Sequence, residues 1–372
     1  MRILVINWQD WTHPFAGGAE FHLREVFARL AGRGHQVDLL CTRYRGAASE
    51  EQLAGIRVIR RGRAYPLFNY VVPAVYRREL RRHRYDVIVD DINKVPFFVP
   101  LFADPPVVAL VHHFFGATVF QETNPVFGGY VWLSEQPVAR VYRRCRFISV
   151  SPSTTDDLVE RGIPANRIAM IPNGLPVVPE SILAEPKAVA PLFVYLGRLK
   201  RYKRIELILE AFARVASRYP AARVVIAGDG DYRSALERHA AALGLGEGVA
   251  FPGWIGDGAK WRLLRQAWAV CYTSPREGWG ISSLEAQRVG TIAIVSDAPG
   301  LRDTVVDGVT GRLVPHGDVG ALALALEESI EQPARRAGWE HAAVGRARGF
   351  SWETAATATL GVLESAVAER AR

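Results

Sequence analysis

The chain has 372 residues, 49% hydrophobic and 23% charged, which is the composition of an ordinary folded protein and enough length for two α/β domains rather than one core. A formal charge of +8 and a pI of about 9.6 favour anionic partners such as nucleotide phosphates or acidic lipids. Three cysteines without metal-ligand spacing speak against a disulfide scaffold or a structural zinc and suit a reducing compartment.

Residues 2–7 open on the apolar run Arg-Ile-Leu-Val-Ile, too short for a signal-peptide core and suited to a first buried strand. The glycine loop Phe15-Ala-Gly17-Gly18-Ala leads into an amphipathic helix over 20–32 and a second strand over 36–41. Glycines there let the main chain approach an anion and present its N–H groups, although a Gly-Gly turn before a helix is common. Further strand-like runs at 87–89, 107–110 and 147–150 alternate with helical periodicity, and this alternation predicts a parallel sheet covered by helices on both faces. The most apolar stretch, 95–119, is broken by four prolines, Asp104 and two histidines, so no transmembrane helix is expected. Those histidines, His112 and His113, follow the strand at 107–110. Packing or a hydrogen bond is the ordinary role of such a pair, and metal binding is not expected because no third ligand is indicated.

Two basic clusters hold the excess charge. Arg77, Arg78, Arg81 and Arg82 fall at helical spacing beside Val75 and Leu80, and Arg140, Arg143 and Arg144 lie near Trp132 and Tyr142. Such clusters are either solvated faces or patches drawn to an anionic membrane at roughly 1 kcal/mol per charge, with interfacial aromatics adding to the attraction. Weak, salt-sensitive attachment is the expectation. Nucleic acid is not an expected partner, since no recognition motif accompanies the clusters.

A proline-rich span follows the first 175 residues, and 176–190 reads as a hinge. The alternation restarts with a strand at 192–195 and continues through helices at 205–218, 232–243 and 259–266 and strands at 223–226, 249–251, 269–272 and 291–295. It gives a second domain over 191–351, with closing helices at 319–331 and 352–370. Directly after the first strand of this domain comes Gly197-Arg198-Leu-Lys-Arg-Tyr-Lys203. In open α/β sheets ligands bind beyond the carboxyl ends of the strands, where the planar fork of Arg198 can grip a diphosphate and Lys203 can add a mobile point charge.

The most informative segment is 274–295, which contains Glu277-Gly278-Trp279-Gly280-Ile281 and, within the helix that follows, Glu285. Two carboxylates are thereby fixed at different depths beside one helix N-terminus, a place that favours an anion. Glu277 suits the hydroxyls of a hexose and Glu285 the two hydroxyls of a ribose, the layout of a nucleotide sugar.

This segment resembles the glutamate-pair signature of the family 4 retaining glycosyltransferases. The resemblance implies the GT-B fold, two Rossmann-like domains whose parallel sheets face a deep cleft, with the last helix crossing back onto the first domain. Where the family commonly has phenylalanine this chain has Trp279, a change that reshapes the sugar pocket. By the same resemblance Arg198 and Lys203 form the phosphate clamp, Gly17 and Gly18 the glycine loop facing the diphosphate, and His112, with His113 as substitute, the histidine beside the reacting sugar. Gly228 and Asp229 match the glycine turn near the donor, Trp254 and Ile255 border the base, and Asn173 lines the crevice. The implied donor is a UDP- or GDP-linked sugar, with neither cofactor nor metal. The acceptor is unknown, and the expected location is cytoplasmic, peripheral at the inner face of the membrane. A sugar-nucleotide epimerase of the same architecture and a non-catalytic binding protein are the alternatives.

Overall fold

The computed structural model describes residues 1–62, 67–93 and 95–370. Its chain divides into two compact units, Met1–Gly174 with the C-terminal segment from Trp352, and Leu175–Ser351.

Among its described residues the first unit holds eight strands: β1 (Arg2–Ile6), β2 (Gln36–Thr42), β3 (Glu50–Leu53), β4 (Ile56–Arg61), β5 (Val87–Ile92), β6 (Val107–Val111), β7 (Arg146–Ser149) and β8 (Ile168–Met170). They lie in the order β3-β4-β2-β1-β5-β6-β7-β8, parallel except for the antiparallel β3–β4 pair at the edge. The near-continuous apolar runs of β1 and β6 are buried on both faces, as a helix-covered parallel sheet requires. On one face Leu4, Ile6, Leu40, Ile88 and Phe147 join a core with Phe68 and Tyr142. The Trp352–Arg370 helix packs on the Gly18–Gly32 helix, and Trp352 sets its ring against Phe21 and His22 at 5.7 and 5.8 Å.

The second unit has six strands: β9 (Leu192–Leu196), β10 (Arg223–Ala227), β11 (Val249–Gly253), β12 (Ala269–Tyr272), β13 (Ile292–Ser296) and β14 (Gly311–Val314). All are parallel, in the order β11-β10-β9-β12-β13-β14. Phe193, Phe212, Val270, Ile294 and Leu326 centre its core. The chain crosses from β9 out to β11 and returns to β12, so the loops after β9 and β12 are neighbours at the carboxyl edge.

The span read as a hinge, 176–190, belongs to this second unit. It contains the short helix Glu180–Leu183, and Val178 and Ile182 enter the core. Its end is fastened by Ala188 N–H to Gln266 O at 2.9 Å and by the Trp268 indole N–H to Ala188 O at 2.8 Å.

Five further elements carry no clear periodic signal: β3, β4, β8, β14 and the helix Pro333–Ala347. In β4 the sequence Ile-Arg-Val-Ile-Arg-Arg hides its alternation because Arg60 is fully buried, its charge matched by Asp10 at 2.7 Å.

Candidate functional site

In the second unit, Gly197 and Arg198 follow β9, Gly228 and Asp229 follow β10, Trp254 and Ile255 follow β11, and Glu277 lies in the loop after β12. All these segments therefore gather at one edge of the sheet. The loop after β9 is tied by Tyr195 Oη to the Arg198 carbonyl at 3.0 Å and by Leu199 N–H to Asp229 O at 2.9 Å. A Cβ on Gly228, whose φ is +132°, would stand 1.9 Å from Gly197 O, so glycine there is required by one backbone lying directly on another. The same loop passes through Arg204 in the left-handed region, φ +54°, a strained state that Thr273 secures by donating its hydroxyl to the carbonyls of Lys203 and Arg204 at 3.1 and 2.8 Å.

Those contacts deliver Lys203 to Glu277. The two form an ion pair with side chains 14% and 20% exposed. Burial, the largest single influence, works against the Lys203 ammonium, but the charge and hydrogen bond of Glu277 together with Tyr202 hold the pKa above the usual lysine value. Glu277 is clasped in turn: its N–H donates to Pro299 O at 3.0 Å, and its carbonyl lies so close to Gly300 that a Cβ there would approach to 2.0 Å. Arg198 is exposed.

Glu285 is buried on the Ile281–Arg288 helix, where burial pushes its carboxyl up while Lys260 pulls it down from 3.0 Å. Lys260 carries no motif signal; only the packing of the Asp257–Gln266 helix brings it there. Gly278, Gly280 and Ile281 are partly exposed around the helix start, with Gly280 at φ +58°. Trp279 is buried, 5% exposed, with its ring edge-on to Phe350 at 5.6 Å. Trp254, by contrast, is 79% exposed, Ile255 is half-buried, and the exposed Asp229 accepts from the N–H of Gly230 at 2.8 Å.

In the first unit, Gly17 precedes the Gly18–Gly32 helix, and its N–H donates to Glu20 at 2.7 Å, leaving Gly18 exposed at the first helical position. Buried Asn93 bridges Glu20 and Asn7 at 3.3 and 2.9 Å, fixing the loop that follows β1. His112, just beyond β6, is also buried. Its Nε2 lies 3.1 Å from the fully buried carboxylate of Asp91, and its carbonyl accepts the Thr154 hydroxyl at 2.9 Å. The edge of its ring meets His22 at 5.2 Å, and His22 Nδ1 lies 2.5 Å from Asn173 Oδ1. Burial first, then the charge of His112, pushes His22 down to about 3, so His22 is neutral and donates its Nδ1–H to Asn173. His113 sits instead against Phe115 at 4.8 Å. Asp91 and His22 have no spacing relation to His112 and escape sequence reasoning; Asn173 is a buried partner of His22.

Arg77, Arg78, Arg81, Arg82, Arg140, Arg143 and Arg144 are all exposed, with Arg81 paired to Asp104 at 2.7 Å. Tyr142, expected at an interface, is instead fully buried, with its hydroxyl donating to Asp90 and accepting from Phe98 N–H at 2.8 Å. Exposed apolar groups come from other residues of the region: Val126, Trp132 and Leu133 of the Pro125–Glu135 helix, Phe120 before it, and Tyr70. Among the described residues no helix is long and apolar enough to cross a membrane, and no group of three or more His, Cys, Asp or Glu is arranged to hold a metal ion.

Comparison with known proteins gives the family and the fold. Residues 184–345 match the model of the glycosyl transferases group 1, and residues 16–177 that of glycosyltransferase family 4. The chain is 27% identical to a glycogen synthase of Mycobacterium tuberculosis, over 96% of this chain and 93% of that protein. It is also 27% identical to a phosphatidyl-myo-inositol mannosyltransferase of Mycobacterium leprae, over 98% and 97%. Among solved structures it resembles sucrose-phosphate synthase from Thermosynechococcus elongatus, with TM-score 0.81 and 22% identity over 99% of each chain. It resembles Anabaena HepE in complex with UDP and glucose with TM-score 0.76 and 21% identity over 98% of this chain and 100% of that one. These likenesses establish the GT-B fold.

Proposed function

Because the chain belongs to the family 4 glycosyltransferases, we propose that it moves a hexose from a UDP- or GDP-linked sugar to a glycan, lipid-linked or small-molecule acceptor with retention of anomeric configuration. The observation that carries this reading is the Lys203–Glu277 pair beside Arg198 at the carboxyl edge of the second sheet. An ammonium is a donor to phosphate oxygens, and a carboxylate is an acceptor for sugar hydroxyls. As the bond from the anomeric carbon to the donor phosphate breaks, negative charge grows on the leaving diphosphate, and Arg198 and Lys203 stabilise it in the role a metal ion plays elsewhere. A phosphate oxygen of that leaving group takes the acceptor's hydroxyl proton, and the acceptor oxygen bonds to the same face of the sugar. Glu277 orients the hexose and Glu285 holds the ribose; in the first unit, Asp91 keeps His112 in place.

The UDP-glucose complex of HepE and the phosphatidyl-myo-inositol in the name of the mycobacterial relative support a nucleotide-linked donor and a lipid-borne acceptor, respectively. Exposed arginines and the apolar face of the Pro125–Glu135 helix support contact of the first unit with an anionic membrane surface. Thermal-shift screening with a panel of UDP- and GDP-sugars, followed by NMR of the product formed from the stabilising donor, tests the proposal. The expected product keeps the donor's anomeric configuration; an inverted centre, or no stabilisation by any donor, contradicts the reading.

A further inference from the structure

Glu285 needs two properties to accept both hydroxyls of a ribose: it must be ionised, and its oxygens must keep one orientation. Its surroundings oppose the first, since the side chain is 9% exposed and burial favours the neutral acid. The groups facing it are Lys260 and Asp257 from the Asp257–Gln266 helix and Tyr272 from β12, the last with its hydroxyl held protonated by burial. Of these only Lys260 favours the carboxylate. Its Nζ donates to Glu285 Oε1 at 3.0 Å, lies 3.5 Å from the exposed Asp257 carboxylate, and rests 4.5 Å from the centre of the Trp261 ring, itself buried. A carboxylate offers about four lone-pair sites, so one bond to Lys260 leaves enough acceptors for a diol, whereas a protonated carboxyl would turn one oxygen into a donor.

We infer that Lys260 is a positioning residue for the nucleotide, holding Glu285 ionised and oriented so that it can take both ribose hydroxyls. The inference rests on the reading above that Glu285 receives the ribose. Lys260 acts through the glutamate and not on the reacting atoms.

Calorimetric titration of the full-length protein with UDP and with GDP tests this. For whichever nucleotide binds, Lys260→Ala weakens affinity about 10-fold, the scale of lost hydrogen bonds to a charged group, and Lys260→Arg recovers most of it. The Lys260→Ala loss relative to wild type deepens as pH falls from 8 to 5.5, because the uncompensated Glu285 takes up a proton. The matching 2′,3′-dideoxynucleotide binds Lys260→Ala and wild type equally, and the Lys260→Ala, Glu285→Ala double variant binds no more weakly than Glu285→Ala alone. With a turnover assay, KM for the donor rises and kcat stays within about twofold, as loss of a uniform binding interaction requires. Wild-type affinity in Lys260→Ala, or equal weakening toward the ribo- and dideoxynucleotides, overturns the inference while leaving the function intact. Unchanged affinity in Glu285→Ala instead removes the ribose reading itself, and the role of Lys260 with it.

Discussion

Two glutamates eight positions apart do different work because their surroundings differ. Glu277, on the partly open loop after β12, meets the ammonium of Lys203 from the loop after β9, so its carboxylate is already matched by a cation. Removing it leaves Lys203 short of a partner but removes no core side chain, and stability is expected to fall by no more than about 1–2 kcal/mol. Turnover should fall far more in Glu277→Ala, by about 10²-fold or beyond, the usual cost of deleting one preorganised electrostatic group. Glu285→Ala is expected to act chiefly on nucleotide affinity. Steady-state kinetics together with urea denaturation of both variants check the division, and near-wild-type kinetics in both would contradict the assignment.

The strand-to-helix loops show why the site's glycines stand where they do. Gly228 can be read from sequence as a turn or as a ligand-facing residue; the structure gives it a third task, letting the loop after β9 lie directly on the loop after β10. Adding one methyl group would force Gly197 and Arg198 away, at a strain of roughly 1–3 kcal/mol for a non-glycine residue in such a conformation. Gly228→Ala is therefore expected to lower both the melting temperature and donor affinity, since displaced Arg198 loses its aim. A variant with wild-type melting behaviour and wild-type donor KM would show that the two loops can separate freely. The Trp352–Arg370 helix makes the parallel point for the first unit: its Trp352 ring seals the side of His22, so a segment distant in sequence guards a buried histidine.

Whole-molecule behaviour follows from buried titration and from surface charge. His22 titrates near 6.5 in an unfolded chain but near 3 when folded, because burial and the charge of His112 both disfavour its cation. Between those values the unfolded state binds the extra proton, so this contribution is complete above about pH 6.5 and is lost as pH falls, at up to about 1.4 kcal/mol per unit. Asp90, pushed up to about 6 by burial, works in the opposite sense from its ordinary 3.8 upward, so the histidine is best isolated by difference. The stability gap between wild type and His22→Gln, measured in urea, should narrow steadily from pH 7 to pH 4; a constant gap would mean His22 takes up its proton while folded. At the surface, a net charge of +8 with exposed Arg77, Arg78, Arg81, Arg82, Arg140, Arg143 and Arg144 should draw the protein to anionic vesicles at low salt. Raising ionic strength should release it, since screening shortens the reach of every such charge. Absence of co-sedimentation with anionic liposomes at low salt would end the membrane proposal.

Local pattern determined much of this protein. Apolar runs written for burial on both faces specify parallel sheets, their restart near Leu192 specifies a second one, and the Glu277–Glu285 segment with Arg198 and Lys203 carries the family. Pairing decided the rest. Lys260 and Glu285 are 25 residues apart, Asp91 and His112 are 21 apart, and Arg60 reaches back 50 residues to Asp10, distances at which no periodicity reports a contact. A local signal can say that a side chain is polar, but whether its charge is solvated, matched or buried depends on which strand order and helix packing bring the opposite charge beside it. For the same reason Tyr142 reads as an interfacial aromatic in the sequence and is a core residue in the fold.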